Sequence, residues 1–185
     1  MVLTYTPDVE FGKKMPDFDL PGVDNQNWNM QKCMGDNGLV VMFICNHCPY
    51  VKSIQERLVE DALAMQKFGV NVVAIMSNDV NDYPEDSFEN MQIVAKAQNY
   101  PFPYLLDETQ EVAKAYGAVC TPDIFGLDNQ GVLHYRGRLD AAGRNKSEEQ
   151  LPRDMVNAMK QLAKEGQITT EQIPSMGCSI KWIKS

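Results

Sequence analysis

The chain has 185 residues, with 25 acidic against 17 basic side chains, a net charge of −8 and a pI near 4.7. This length fits one domain with a sizeable core, spanning 1–185, and the acidic balance excludes nucleic acid and an anionic membrane as natural partners. No apolar run approaches the ~18 residues of a membrane span, no signal peptide is visible at the N-terminus, and five cysteines are an odd number for a secreted disulfide framework, so a cytoplasmic protein with buried or reactive thiols is expected.

Residues 1–14 carry no strong pattern and read as an extended lead-in. Met15 to Leu20 alternates apolar and polar residues around Pro16, the pattern of a short edge strand, and Trp28-Asn29-Met30 is its return strand beyond a turn-rich stretch. Cys33 stands without chemical company and reads as a packed side chain. Leu39 to Ile44 is an unbroken apolar run, the mark of a strand buried on both faces. It leads into Cys45-Asn46-His47-Cys48-Pro49-Tyr50. Apolar residues at Val51, Ile54, Leu58, Ala62, Met65 and Phe68 then give helical spacing up to a stop at Gly69.

Val70 to Met76 is a second buried strand, and a strand–helix–strand order makes the two strands parallel with a right-handed crossover. Ser77-Asn78-Asp79 follows at a strand C-terminus, where open α/β sheets place ligands, so these residues face the cysteines or simply end the strand. A helix opening at Tyr83-Pro84-Glu85-Asp86 and running to about Asn99 is predicted, with Pro84 and acids in its first turn. Phe102 to Leu106 is a short strand, and Asp107 caps a helix through Tyr116 that Gly117 ends. Cys120-Thr121-Pro122 leads into a strand, a turn at 128–131 and the strand Val132 to Arg136, an antiparallel hairpin. A polar loop over 141–147 precedes a last helix from Ser147 to about Lys164, and 173–185 is a tail containing Cys178. Arg136 and Arg138 read as strand-surface charges, and His134 as a strand side chain without chemistry.

The chemistry gathers at Cys45 and Cys48, where the central strand hands over to a helix N-terminus. Unpaired amides and the helix dipole lower a thiol pKa there, and a thiolate is the nucleophile in disulfide exchange. Two buried structural thiols are the plain alternative. A metal site using Cys45, His47, Cys48 and Cys178 is another, although the second Cys-x-x-Cys of a zinc ribbon is missing.

The element order, the placement of Cys45 and Cys48, and the Thr121-Pro122 pair before the hairpin resemble the thioredoxin superfamily. The hairpin around Pro16-Asp17-Phe18-Asp19-Leu20 and an insertion over about 78–106 resemble its peroxiredoxin-like branch, the alkyl hydroperoxide reductase and thiol-specific antioxidant proteins. The stretches Cys45 to Lys52, Tyr135 to Arg138 and Gly177 to Trp182 are similar to a subgroup of that branch. The resemblance implies an α/β thioredoxin fold with an N-terminal β-hairpin and a helix–strand inserted between the second core strand and second core helix. It gives Cys45 the part of nucleophile and Cys48 that of resolving cysteine, and makes Thr121-Pro122 a cis-proline loop whose backbone holds the substrate chain. His47 resembles the residue between the cysteines of oxidising members and, when protonated, favours the Cys45 thiolate. Cys120 and Cys178 are candidate additional redox thiols, splitting between that role and packing.

The sequence departs from these patterns at three points. Leu39 to Ile44 lacks the buried acid of thioredoxins. Pro49 directly follows Cys48, which puts Cys48 at the N-cap and Pro49 at the first helical position. A peroxiredoxin needs Pro-x-x-x-Thr-x-x-Cys, and with Cys48 as the last residue those places hold Val41 and Cys45. The expected function is therefore thiol–disulfide exchange, which requires neither organic cofactor nor metal. Its partners would be a disulfide-containing protein or small thiol, with thioredoxin or glutathione as reductant. A hydroperoxide-reducing peroxidase and a non-catalytic metal- or partner-binding module are the alternatives.

Overall fold

A computed structural model describes residues 3–145 and 151–184. In chain order the elements are β1 (Leu3–Tyr5), β2 (Asp19–Pro21), β3 (Asn27–Asn29), α1 (Met30–Cys33), β4 (Gly38–Phe43), α2 (Pro49–Lys52), α3 (Gln55–Gln66) and β5 (Val70–Met76). A 3-10 turn at Pro84–Asp86 is followed by α4 (Phe88–Ala97), β6 (Tyr104–Leu106), α5 (Glu111–Tyr116), β7 (Cys120–Thr121), β8 (Asp123–Leu127), β9 (Leu133–Arg136), α6 (Asp154–Glu165) and β10 (Met176–Ser179).

The central sheet has the order β6-β5-β4-β8-β9. Strands β4, β5 and β6 run parallel, while β8 and β9 return antiparallel as a hairpin. Every residue of β4 is buried, and its side chains alternate between two cores. Val40 and Met42 join Leu58, Met65 and Met159 on the face of α3 and α6. Leu39, Val41 and Phe43 join Phe18, Tyr116 and Phe125 on the opposite face. A run with no polar position is what a strand covered on both sides requires. This three-layer arrangement, with β2–β3 as the N-terminal hairpin and α4–β6 inserted before α5, is a thioredoxin fold.

Element boundaries differ from the sequence expectations at several points: the first hairpin strand is only Asp19–Pro21, Met30 opens a short helix instead of ending the return strand, and the helix after Asp107 starts at Glu111. The helix after the cysteines is interrupted at Ser53-Ile54. The Ser53 hydroxyl donates to the Tyr50 carbonyl and the Ile54 amide to that of Val51, local bonds that tighten the turn and break the α ladder. The helix expected from Tyr83 is a 3-10 turn followed by α4, because Ser87 caps the Asn90 amide and restarts the chain there. The last helix begins at Asp154; residues 151–153 are not helical, and the expected start at Ser147 lies outside the described residues.

The tail forms a second, three-stranded sheet of order β1-β10-β7. Cys178 of β10 is in register with Leu3 on one side and Thr121 on the other. This strand lies over the junction between β4 and α2.

Candidate active site

Cys45 follows β4, and Cys48 caps α2 in an extended conformation with Pro49 at the first helical position. Proline fixes this arrangement, since it excludes the α region for the residue before it and needs no amide partner in the first turn. Both thiols are buried. Facing them, the Thr121–Pro122 peptide is cis. The Thr121 hydroxyl lies 3.5 Å from Cys45 Sγ, and the Thr121 carbonyl oxygen 3.1 Å from Cys48 Sγ. The Cys178 Sγ of β10 completes the group, 3.0 Å from Cys48 Sγ.

A second network holds the loop between the cysteines. Asp86, fully buried, accepts from the Asn46 and His47 amides at 2.8 and 3.2 Å. Its other oxygen accepts from Asn78 Nδ2 at 2.8 Å and pairs with His47 Nδ1 at 2.7 Å. The same ring nitrogen is 3.9 Å from Cys45 Sγ, so His47 gives its short bond to the carboxylate and only a long contact to sulfur. The imidazole stacks on Tyr83, with centroids 5.2 Å apart. The Asp86 hydrogen bond raises the His47 pKa above its ordinary value despite partial burial. Burial alone would raise Asp86, but the bonds from His47 and Asn78 hold it below the usual carboxylate range.

The two cysteines are driven in opposite directions. Cys45 donates to Cys48, and this bond, burial and the Asp86 charge push its thiol well above the usual value. Cys48 is lowered, first by its side-chain hydrogen bond with Cys45, then against burial by those with Cys178 and Thr121 and by the Val51 amide at the start of α2. When Cys48 is protonated, its thiol donates to the Thr121 carbonyl at 3.1 Å. These contacts weigh against the expectation that Cys45 is the low-pKa sulfur and that His47 supports its thiolate, since the Asp86 charge opposes one there. The N-cap position belongs to Cys48, while Cys45 lies beside both members of the His47–Asp86 pair.

Other candidate residues fall elsewhere. Cys120 contacts the Pro122 carbonyl at 3.5 Å, and its thiol is raised by burial and by Asp123. Successive strand residues face opposite ways, so with Thr121 turned to the cysteines Cys120 turns aside. Cys33 packs in the second core. His134 pairs with Asp128 at 3.0 Å on the strand surface. Arg136, expected as a surface charge, is buried because Asp123 receives its guanidinium at 2.9 and 3.1 Å.

Cys45, His47 and Asp86 each offer a donor atom within 4.8 Å of the others, among the described residues. The two Asp86 oxygens are already shared by four hydrogen-bond partners, so the carboxylate is engaged in holding the loop. A Cys-His-Asp set also leaves a tetrahedral ion one ligand short.

Sequence reasoning missed Asp86, which resembles an acid in a helical first turn. Ser87 was the available signal, because a better N-cap one residue later leaves Asp86 outside the helix. Asn78, at the end of β5, does reach the site through Asp86, and its Oδ1 accepts from the Lys181 amide of the tail at 2.9 Å. No helix among the described residues is long and apolar enough to cross a membrane.

Comparison with known proteins agrees with this architecture. A crystal structure of a conserved protein from Geobacillus kaustophilus is 45% identical, with TM-score 0.93 over 100% of this chain and 98% of that one. One from Sinorhizobium meliloti is 37% identical, with TM-score 0.92 over 98% of this chain and 100% of that one. The thioredoxin domain of a Bacteroides vulgatus thiol-disulfide oxidoreductase shares the fold at 14% identity, with TM-score 0.65 over 85% of this chain and 100% of that one. The sequence model of the AhpC/TSA family matches residues 11–136. The chain therefore belongs to the AhpC/TSA family, peroxiredoxin-like redox proteins of the thioredoxin superfamily.

Proposed function

We propose that the protein is a thiol–disulfide oxidoreductase whose working couple is Cys45–Cys48. The supporting observation is that both buried sulfurs meet Thr121, one at its hydroxyl and one at its carbonyl. In the reduced protein of this reading one proton rests on Cys45 and the charge on Cys48. Its transfer from Cys45 to Cys48 makes Cys45 the nucleophile, which attacks a substrate disulfide and expels a substrate thiolate. Cys48, deprotonated again as its proton passes to that leaving thiolate, attacks Cys45, releasing the second substrate half as a thiolate, which takes its proton from solvent, and closing the Cys45–Cys48 disulfide. In reverse, a substrate thiolate attacks Cys45 and Cys48 leaves readily, because a lower-pKa thiol is the better leaving group.

Because both sulfurs are buried and β10 lies against Cys48 and Thr121, the substrate class that fits is a small thiol or disulfide such as glutathione rather than a folded protein. Five free thiols suit a reducing, cytoplasmic setting. The test is equilibration of the purified protein in glutathione redox buffers, followed by acid quench and disulfide mapping. A Cys45–Cys48 couple with a potential above the about −270 mV of thioredoxin is expected, since a stabilised thiolate favours the reduced form. A protein that forms no intramolecular disulfide would remove this reading.

A second reading rests on the same enclosed, acidic Cys48. As a peroxidase, its thiolate would attack a hydroperoxide, giving a sulfenic acid and an alcohol, and a neighbouring thiol would then condense with loss of water. Rapid stoichiometric oxidation of Cys48 by hydroperoxide, without glutathione-linked exchange, would favour it.

A further inference from the structure

The cis-proline loop offers a backbone edge that the family resemblance gives to a substrate chain. In this protein β10 occupies that edge: Cys178 pairs with Thr121 and Ser179 with Cys120, antiparallel. The fit is close. A Cβ on Gly177 would meet the Thr121 carbonyl oxygen at 2.1 Å and its carbon at 2.6 Å, so only glycine lets the strand lie down here. The Ser175 hydroxyl donates to the Pro122 carbonyl at 2.8 Å, and Asp79 and Gln110 donate to the Lys181 carbonyl at 2.8 Å each. These bonds on either side fix Cys178 with its sulfur 3.0 Å from Cys48, closer than two unbonded sulfurs need to stand.

We propose that Cys178 is a tethered internal substrate, which takes the disulfide from Cys45–Cys48 by forming a Cys48–Cys178 bond and releasing Cys45. The step is an isomerisation and needs no further oxidant. The Cys178 sulfur attacks Cys48 Sγ as its proton departs; the Cys48–Cys178 bond forms, the Cys45–Cys48 bond breaks, and Cys45 leaves with the electron pair and takes up a proton. Chemistry supports the order of events. In the reduced protein burial, the bond to Cys48 and the Cys48 charge keep the Cys178 thiol protonated, while Lys181 acts the other way. Oxidation of Cys48 removes both of its contributions, so Cys178 becomes more acidic only once there is a disulfide to attack. The product leaves Cys45 free beside Thr121 to engage a second substrate molecule. The tail would thus be a store for one oxidising equivalent within the site.

This inference rests on the proposed Cys45–Cys48 couple, and its test separates the two. Full-length wild-type, Cys45→Ser, Cys178→Ser and Gly177→Ala proteins are oxidised with glutathione disulfide, acid-quenched and mapped, with circular dichroism to verify folding. Wild type is expected to contain both Cys45–Cys48 and Cys48–Cys178 linkages, Cys45→Ser only the latter, and Cys178→Ser only the former. Gly177→Ala, which keeps every sulfur but lifts the strand, should lower the Cys48–Cys178 share by about tenfold while Cys45–Cys48 persists, because the effective concentration of Cys178 falls. If folded Cys45→Ser yields only glutathionylated or free Cys48 while wild type forms Cys45–Cys48, Cys178 is a packing neighbour and the proposal fails alone. If wild type forms neither linkage, the proposed couple fails with it.

Discussion

Cys33 and Cys48 are the same residue type, and both are almost completely buried. Yet burial with the Asp17 charge pushes the Cys33 thiol up to about 12, while Cys48 moves below its ordinary value. Cys33 ends α1, a four-residue helix, among apolar side chains of the second core. Cys48 begins a helix, and side-chain hydrogen bonds with Cys45, Cys178 and Thr121 favour its thiolate. The contrast shows that burial sets only the cost of a charge. Whether the charge forms depends on donors placed to meet it.

The sharpest way to break this comparison is to exchange oxygen for sulfur at each position. Cys45→Ser or Cys48→Ser should lower glutathione-linked exchange by roughly a thousandfold, since the covalent step is lost. Cys33→Ser should leave its rate within about twofold. Steady-state rates on the four proteins decide; an active Cys48→Ser protein would shift the chemistry to another sulfur.

Asp86 extends the test from the sulfurs to the loop that carries them. Asp86→Ala leaves the Asn46, His47 and Asn78 donors without their acceptor and should cost about 3 kcal/mol in urea unfolding. Asp123→Ala, which orphans the buried Arg136, should destabilise comparably but leave the Cys48 thiolate in place. Thiolate ultraviolet absorbance then separates a general loss of stability from a specific loss of the site.

The pH dependence sharpens the contrast further. One thiolate should persist into acid and vanish in Cys48→Ser, whereas Cys33 ionises only near 12. The folded Cys48 pKa is depressed, so its contribution to stability is complete above the unfolded value, about 8.5, and is lost as pH falls through the folded one. Urea midpoints of wild type and Cys48→Ser across that range should converge toward acid. Midpoints that stay parallel would show that Cys48 holds no charge.

His47 should give the smallest effect. Its folded pKa is raised, so the charged part of its bond to Asp86 stabilises fully below about 6.5 and is lost as pH rises through the folded value. His47→Ala should cost about 1 kcal/mol in acid and less in alkali, with little change in the Cys48 titration. A large shift of that titration would restore His47 as the activating group.

Much of the fold was legible because it is written in local patterns. The apolar run of β4, the helical spacing after it and Gly69 specify a strand–helix unit through neighbouring residues alone. Pro49 likewise announced the N-cap of Cys48. The electrostatics of the site were less legible because they depend on contacts distant in sequence. Asp86 reaches back 39 residues to His47 and Cys178 reaches back 130 to Cys48. Neither a charge in a loop nor a cysteine in a tail says what it will face.

The pairing of Leu3 with Cys178 also bears on how the molecule is made. Contacts between residues so far apart form late, because closing a long loop costs entropy before any contact rewards it. The parallel core around β4 can bring Cys45 and Cys48 together earlier, with only the local α2–α3 segment and β5 to assemble. The strand that carries Cys178 to Cys48 is therefore expected to be among the last parts of the molecule to find its place.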